Sequence, residues 1–95
     1  MKLEWSAAAL ADLDRFAEFL HDHHPDLAAR IASEILDRVR IIAEHPQLGR
    51  PIAGRDDYRE LVLPVLNAAY VFRYAYDGNR LVMLRVFHSK EQREA

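Results

Sequence analysis

The stretch YRELVLPVLNAAYVFRYAYDGNRLVMLRVF, residues 58–87, decides the fold. Tyr58 to Leu63, Ala68 to Tyr76 and Arg80 to Phe87 are rich in β-branched and aromatic residues, which suit a pleated, half-buried surface. Pro64 and Asn67 break the first pair of runs, and Asp77-Gly78-Asn79 supplies residues that accept positive φ in a tight hairpin. The reading is a three-strand antiparallel meander. Its last register stays open on these grounds. A three-residue loop at Asp77–Asn79 puts Arg73 and Arg85 on one face of the sheet, whereas a two-residue loop puts them on opposite faces, because one step of register turns every side chain over.

Upstream the period changes from two to three and four. Leu10, Leu13, Phe16, Ala17 and Leu20 make one apolar stripe, with Asp12, Asp14, Arg15 and Glu18 on the other side. Ser6 is placed to cap this helix, and Trp5 with Leu10 forms a hydrophobic staple across the cap. Leu27, Ile31, Ile35, Val39 and Ile42 make a second stripe that opens on Pro25 and ends at His45-Pro46. A short link makes the two an antiparallel hairpin. Lys2 to Trp5 alternates as a candidate first strand, and Gln47 to Asp57, with Gly49, Pro51 and Gly54, reads as loop. A helical pair over one face of a mainly antiparallel sheet gives a two-layer α+β domain in the order β-α-α-β-β-β.

The 95 residues are sufficient for a single domain with one core, and the reading is one domain over residues 1–95. Half the chain is apolar and 29% is charged, as in soluble globular domains. Cysteine is absent, which excludes disulfides, thiolate metal sites and a thiol nucleophile. The N-terminus shows no signal-peptide pattern and no apolar run reaches membrane-spanning length, so the expected compartment is the cytoplasm, with no membrane partner. A net charge of −2 argues against tracking a nucleic-acid backbone, which depends on Lys and Arg displacing counterions. The charge is uneven: the first 45 residues hold five basic and nine acidic side chains, the remainder eight and six.

Arg59, Arg73 and Arg85 interrupt otherwise apolar strands. They either sit on the solvated side of the sheet or form a basic surface for an acidic segment or phosphate. His88, at the end of the last strand, is either structural or a general acid or base in need of a geometric partner. His21, His23 and His24 cluster at the helical hinge without a carboxylate to complete a metal site, and Asp56-Asp57 reads as turn chemistry. No Gly-rich phosphate loop, zincin pattern or nucleophile elbow is present. No metal and no cofactor is expected.

In chain order, Trp5-Ser6, Ala11-Asp12-Leu13, the run Ala43 to Arg50, Tyr58-Arg59-Glu60-Leu61, Tyr70 to Tyr74 and Leu84 to Ser89 resemble the RelE/ParE superfamily of type II toxins. The resemblance covers nearly the whole chain. It implies either a ribosome-dependent mRNA endonuclease or a ParE-like protein that poisons DNA gyrase by binding. Where some nucleases carry a glutamate after a Gly-(Lys/Arg)-Pro segment this chain has Ile52, and where they carry an arginine before a strand aromatic it has Ala69. Only Arg59 and His88 match that catalytic set, and an isoleucine cannot act as a base. The ParE-like side, with Pro46-x-x-Gly49-Arg50 and Leu84-Arg85-Val86-Phe87-His88, fits better. No catalytic residue is expected on that reading. Arg59, Arg73, Arg85, His88 and Lys90, with the polar tail Lys90 to Ala95, are then candidates for gripping the target. Leu10, Leu13, Phe16, Leu20, Ile31 and Ile35 on the hairpin are candidates for holding a ParD-like antitoxin, as a helix in a groove or a strand at a sheet edge.

Overall fold

Ser6 closes the first joint of the computed structural model. Its hydroxyl accepts the Ala9 N–H at 3.0 Å, which caps a helix, and donates to the Leu84 carbonyl at 3.0 Å, which ties that helix to the last strand. The structure describes residues 2–90, with the backbone alone at residues 20–23. The elements are β1 (Lys2–Trp5), α1 (Ala7–His23), α2 (Pro25–Glu44), β2 (Arg50–Ile52), β3 (Arg55–Val65), β4 (Ala68–Tyr76) and β5 (Arg80–His88). Two helices pack on a five-stranded mixed sheet of order β1-β5-β4-β3-β2.

This is the expected α+β architecture with one element added. Residues 50–52, read as loop, form the edge strand β2 beside β3. Its Pro51 lacks an N–H and is tolerated there because an edge strand has one side unpaired. β1 pairs with β5 in parallel, Lys2 opposite Arg80 through Trp5 opposite Met83, and the other pairs are antiparallel. Pro25 opens α2 as expected.

The core is the helix-facing side of the sheet, with Tyr70, Phe72 and Tyr74 from β4 and Leu81, Met83 and Val86 from β5, packed against Ile31, Ile35, Val39 and Ile42 of α2. α1 is rotated from its expected orientation. Its enclosed residues are Ala9 and Asp12, with Leu13 and Phe16 partly buried, while Leu10 is 49% exposed. Asp12, expected on the solvated side, is only 1% exposed.

The β4–β5 register is resolved by a bulge. Asp77 N–H donates to the Arg80 carbonyl, and Tyr76 pairs with Leu81, so Gly78-Asn79 is a two-residue loop. The Asp77 carboxylate accepts the Asn79 and Arg80 N–H groups and so fixes the turn. The register then shifts so that Arg73 faces Arg85. The unpaired Leu84 turns the outer half of β5 over, and both arginines start from the sheet face opposite the helices.

The loop after α2 is gripped from inside. The fully buried Tyr74 donates its hydroxyl hydrogen to the Pro46 carbonyl at 2.7 Å and accepts the Gly49 N–H at 2.9 Å. Gly49 sits so close that a Cβ there would lie 2.5 Å from the Tyr74 oxygen. Burial pushes the Tyr74 phenol above its ordinary pKa, against the lowering effects of the Gly49 hydrogen bond and the Arg59 charge. Arg59 closes the outside, donating to the Gly49 carbonyl at 2.7 Å and the Gln47 carbonyl at 3.3 Å. Tyr74→Phe strands a buried donor and a buried acceptor and is expected to cost about 2–3 kcal/mol. A urea unfolding midpoint unchanged from wild type would contradict the clamp.

Candidate partner-binding site

Asp12 holds the helical layer against the end of the sheet. β1 stops opposite Met83, leaving the outer half of β5 without a strand on its side away from β4, and α1 covers that edge. The Asp12 carboxylate accepts the Val86 N–H at 2.8 Å, in place of a strand carbonyl. It accepts Arg85 at 2.9 and 3.0 Å through both oxygens, and Arg15 at 2.7 Å. Burial raises its pKa, but the hydrogen bonds from Arg85, Arg15 and Val86 outweigh this and hold the carboxyl below its ordinary value.

Beside this clasp, α1, α2 and the Leu66-Asn67 turn enclose an apolar groove of about 500 Å³. Ile31, Val65 and Tyr70 lie deep in it, and Phe19, 66% exposed, stands at its rim. Phe16 meets Tyr70 edge-on at 5.4 Å, and Tyr70 meets His88 edge-on at 5.2 Å. Leu66 adopts φ +54, an unfavourable region for a branched side chain, and lines the groove from that position.

The residues singled out for antitoxin binding divide. Phe16 and Ile31 line the groove, Leu13 packs against the core, and Leu10 is exposed. Ile35 is fully enclosed and offers a partner no surface. The side chain of Leu20 lies outside the described residues, as do those of His21 and His23. Phe19, Leu27 and Tyr70 also line the groove and were not among those candidates, although Leu27 lies on the second stripe; the signal for Phe19 was an aromatic off the inward stripe.

The residues singled out for target binding are not one cluster. Arg59 and His88 both start from the helix-facing side, because Arg59 pairs with Tyr74 and His88 with Tyr70. Four residues along β4 and two strand spacings put them on the order of 15 Å apart. Arg73 and Arg85 lie side by side on the opposite face. Arg73 binds Glu60 at 2.9 and 3.1 Å, and both guanidiniums lie over the Phe87 ring, at 5.6 and 4.7 Å from its centre. Lys90 follows His88, whose Nδ1 accepts the Lys90 N–H at 3.0 Å. Residues 91–95 of the tail lie outside the described residues.

This fold matches solved toxins. It superposes on a protein of the chromosomal ParDE toxin-antitoxin system of P. aeruginosa with a TM-score of 0.73 at 20% identity, covering 93% of this chain and 95% of that one. A YoeB/ParE toxin from Agrobacterium tumefaciens gives 0.57 at 23% identity, covering 93% and 98%. In sequence the chain is 34% identical over 92 residues to the putative toxin Y4kP of Sinorhizobium fredii, covering 96% of this chain and 91% of that protein. It is 31% identical over 88 residues to toxin RelE1 of Caulobacter vibrioides, covering 93% and 92%. The class is thus a toxin of a type II toxin-antitoxin module. The family described as ParE toxin of the type II toxin-antitoxin system, parDE, matches residues 3–93, and the chain belongs to that family.

Asp12→Asn is expected to lose about 2–4 kcal/mol at neutral pH, since two guanidiniums lose their shared countercharge. Because the folded-state pKa is lowered, the Asp12 contribution is complete above the unfolded value of about 3.9 and fades as pH falls below it. Urea midpoints measured from pH 7 to pH 2 should therefore fall more steeply for wild type than for Asp12→Asn. Parallel curves would remove Asp12 from the account.

Proposed function

We propose that this toxin acts in the cytoplasm by binding DNA gyrase rather than by cleaving RNA, and that a ParD-like antitoxin neutralises it. The observation that carries the reading is the separation of Arg59 from His88. A general acid–base pair must meet one reacting group within hydrogen-bond reach, and these two side chains start from opposite ends of the sheet. Arg59 has a structural task as well, in the clamp on the Pro46–Gly49 loop. Arg73 and Arg85, by contrast, stand together over Phe87 on the sheet face away from the helices. They are the proposed target surface, with Lys90 beyond the strand end, while His88 leaves β5 on the helix-facing side and lines the groove. Such a protein needs only higher affinity for one conformation of its target to shift that target's population.

The antitoxin segment is placed in the groove lined by Phe16, Phe19 and Ile31. The backbone of β4 beneath it is already paired on both sides, to β3 and β5, so an extended segment would find no ladder there. A helix satisfies its own backbone, and an amphipathic one suits an apolar groove.

The RNA-cleaving reading is kept because two Caulobacter relatives, each 31% identical, are named toxins RelE1 and RelE3. Purified toxin is expected to inhibit gyrase supercoiling and raise cleaved DNA while leaving ribosome-bound message intact. Arg73→Ala should raise the concentration for half-inhibition about tenfold, and because its pair with Glu60 is half-buried a stability loss of about 1 kcal/mol is expected beside it, read separately by thermal melt. Cleavage of message lost in His88→Ala would establish the nuclease instead. Normal growth at high expression of the chain alone would point to a member that keeps only its antitoxin.

A further inference from the structure

We infer that the target surface extends from Arg73 into a cleft at the β2–β3 edge of the sheet, and that this cleft holds a segment of the target protein whose carboxylate, set between apolar side chains, meets Arg50. This rests on the target-binding reading above and adds the residues and the partner chemistry which that reading leaves open. The cleft, of about 650 Å³, opens on the sheet face away from the helices, with Leu48, Arg50, Pro51, Glu60, Val62 and Arg73 in its lining. Among the described residues the three most exposed large hydrophobic side chains are Phe19, Val62 and Leu48, at 66%, 56% and 54%. Phe19 stands on the antitoxin groove, and the other two line this one cleft. Exposed apolar side chains gathered in a polar-rimmed concavity mark a contact site, as scattered ones do not.

The charge follows from the register. Arg50 lies opposite Glu60 and Glu60 opposite Arg73, so the three side chains leave one face in a row across neighbouring strands, about 4.8 Å apart. Arg73 takes the Glu60 carboxylate at 2.9 and 3.1 Å. The Arg50 side chain is exposed and makes no hydrogen bond or ion pair among the described residues, so its donors are available. A partner that covers Leu48 and Val62 also withdraws Arg50 from water, and an opposite charge offsets that cost. Glu60 and the apolar walls disfavour a nucleic-acid backbone, which is held by unopposed cations. The cleft is also formed in advance. Tyr74 and Arg59 fix the loop that carries Leu48, and the register shift between Pro51 and Ile52 bends β2 beside it. A wall already ordered leaves more of the contact energy for affinity. Pro51 offers no N–H at the free edge, so an added strand finds no complete ladder there and the occupant lies across the face instead.

The test measures inhibition of gyrase supercoiling by the purified full-length toxin, and growth arrest when the chain is expressed alone, with folding read by thermal melt. Arg50→Gln is expected to raise the concentration for half-inhibition about tenfold at an unchanged melting temperature, with Arg50→Lys recovering part of the loss. Leu48→Ser should weaken inhibition as well. The advantage of wild type over Arg50→Gln should shrink as salt rises, because screening weakens the contact between charges. Growth arrest should ease in the same variants at equal toxin levels. If Arg73→Ala weakens inhibition but Arg50→Gln and Leu48→Ser do not, the cleft inference is overturned and the surface formed by Arg73 and Arg85 remains. If Arg50→Gln weakens binding to a short DNA duplex while Leu48→Ser changes nothing, Arg50 takes phosphate and the carboxylate is overturned. If the toxin leaves gyrase untouched yet arrests growth, the gyrase reading falls, and arrest undiminished in both variants overturns the cleft too. A wild type that neither inhibits gyrase nor arrests growth overturns both.

Discussion

One buried carboxylate joins the two layers of this toxin. Asp12 receives a backbone N–H from β5 and guanidiniums from two different elements, so the position of α1 is fixed by directional bonds where an apolar contact would let it slide. A carboxylate withdrawn from water is tolerable only when its lone pairs are filled and its charge is opposed, and Asp12 meets both conditions. The α1 wall of the groove, Arg85 and the outer end of β5 take their placement from this one side chain. Arg15 links it to the groove and Arg85 to the opposite face of the sheet.

Much of the architecture was legible in the residues. The strand runs, the cap at Ser6, the start of α2 at Pro25 and its end at His45-Pro46 each follow from local chemistry that tertiary packing then reinforces. Asp12 was misread because amphipathic patterning assigns every charged residue to solvent, and only a partner 74 residues away makes its burial favourable. The same error rotated α1, exposing Leu10 and enclosing Ala9. β2 was missed because Gly and Pro signal a loop equally well when they sit beside a short edge strand. The bulge at Leu84 has no local signature, yet it alone decides which face Arg85 leaves from.

The candidate site residues were legible as types and not as places. Five positively charged or titratable side chains were grouped because they interrupt apolar strands or follow the last one, and the fold distributes the four that lie on strands over both sides of the sheet. Arg59 shows why. An arginine in an apolar strand looks like a binding residue, but here it closes a loop whose carbonyls would otherwise lack donors. The groove was half foreseen, since Phe16 and Ile31 came from stripe periodicity, whereas Phe19 lies off that stripe and is exposed for the same reason.

The pairing of β1 with β5 sets the order in which the molecule can be completed. β1 finds its strand partner, and the carboxylate of α1 its backbone and Arg85 donors, in β5, so this part of the chain must wait during synthesis until β5 has emerged. Contacts this distant in sequence close slowly. A protein built in this way leaves its groove and the outer face of its sheet unassembled until β5 has been made and paired, so the surfaces a partner would read all appear together in one late event.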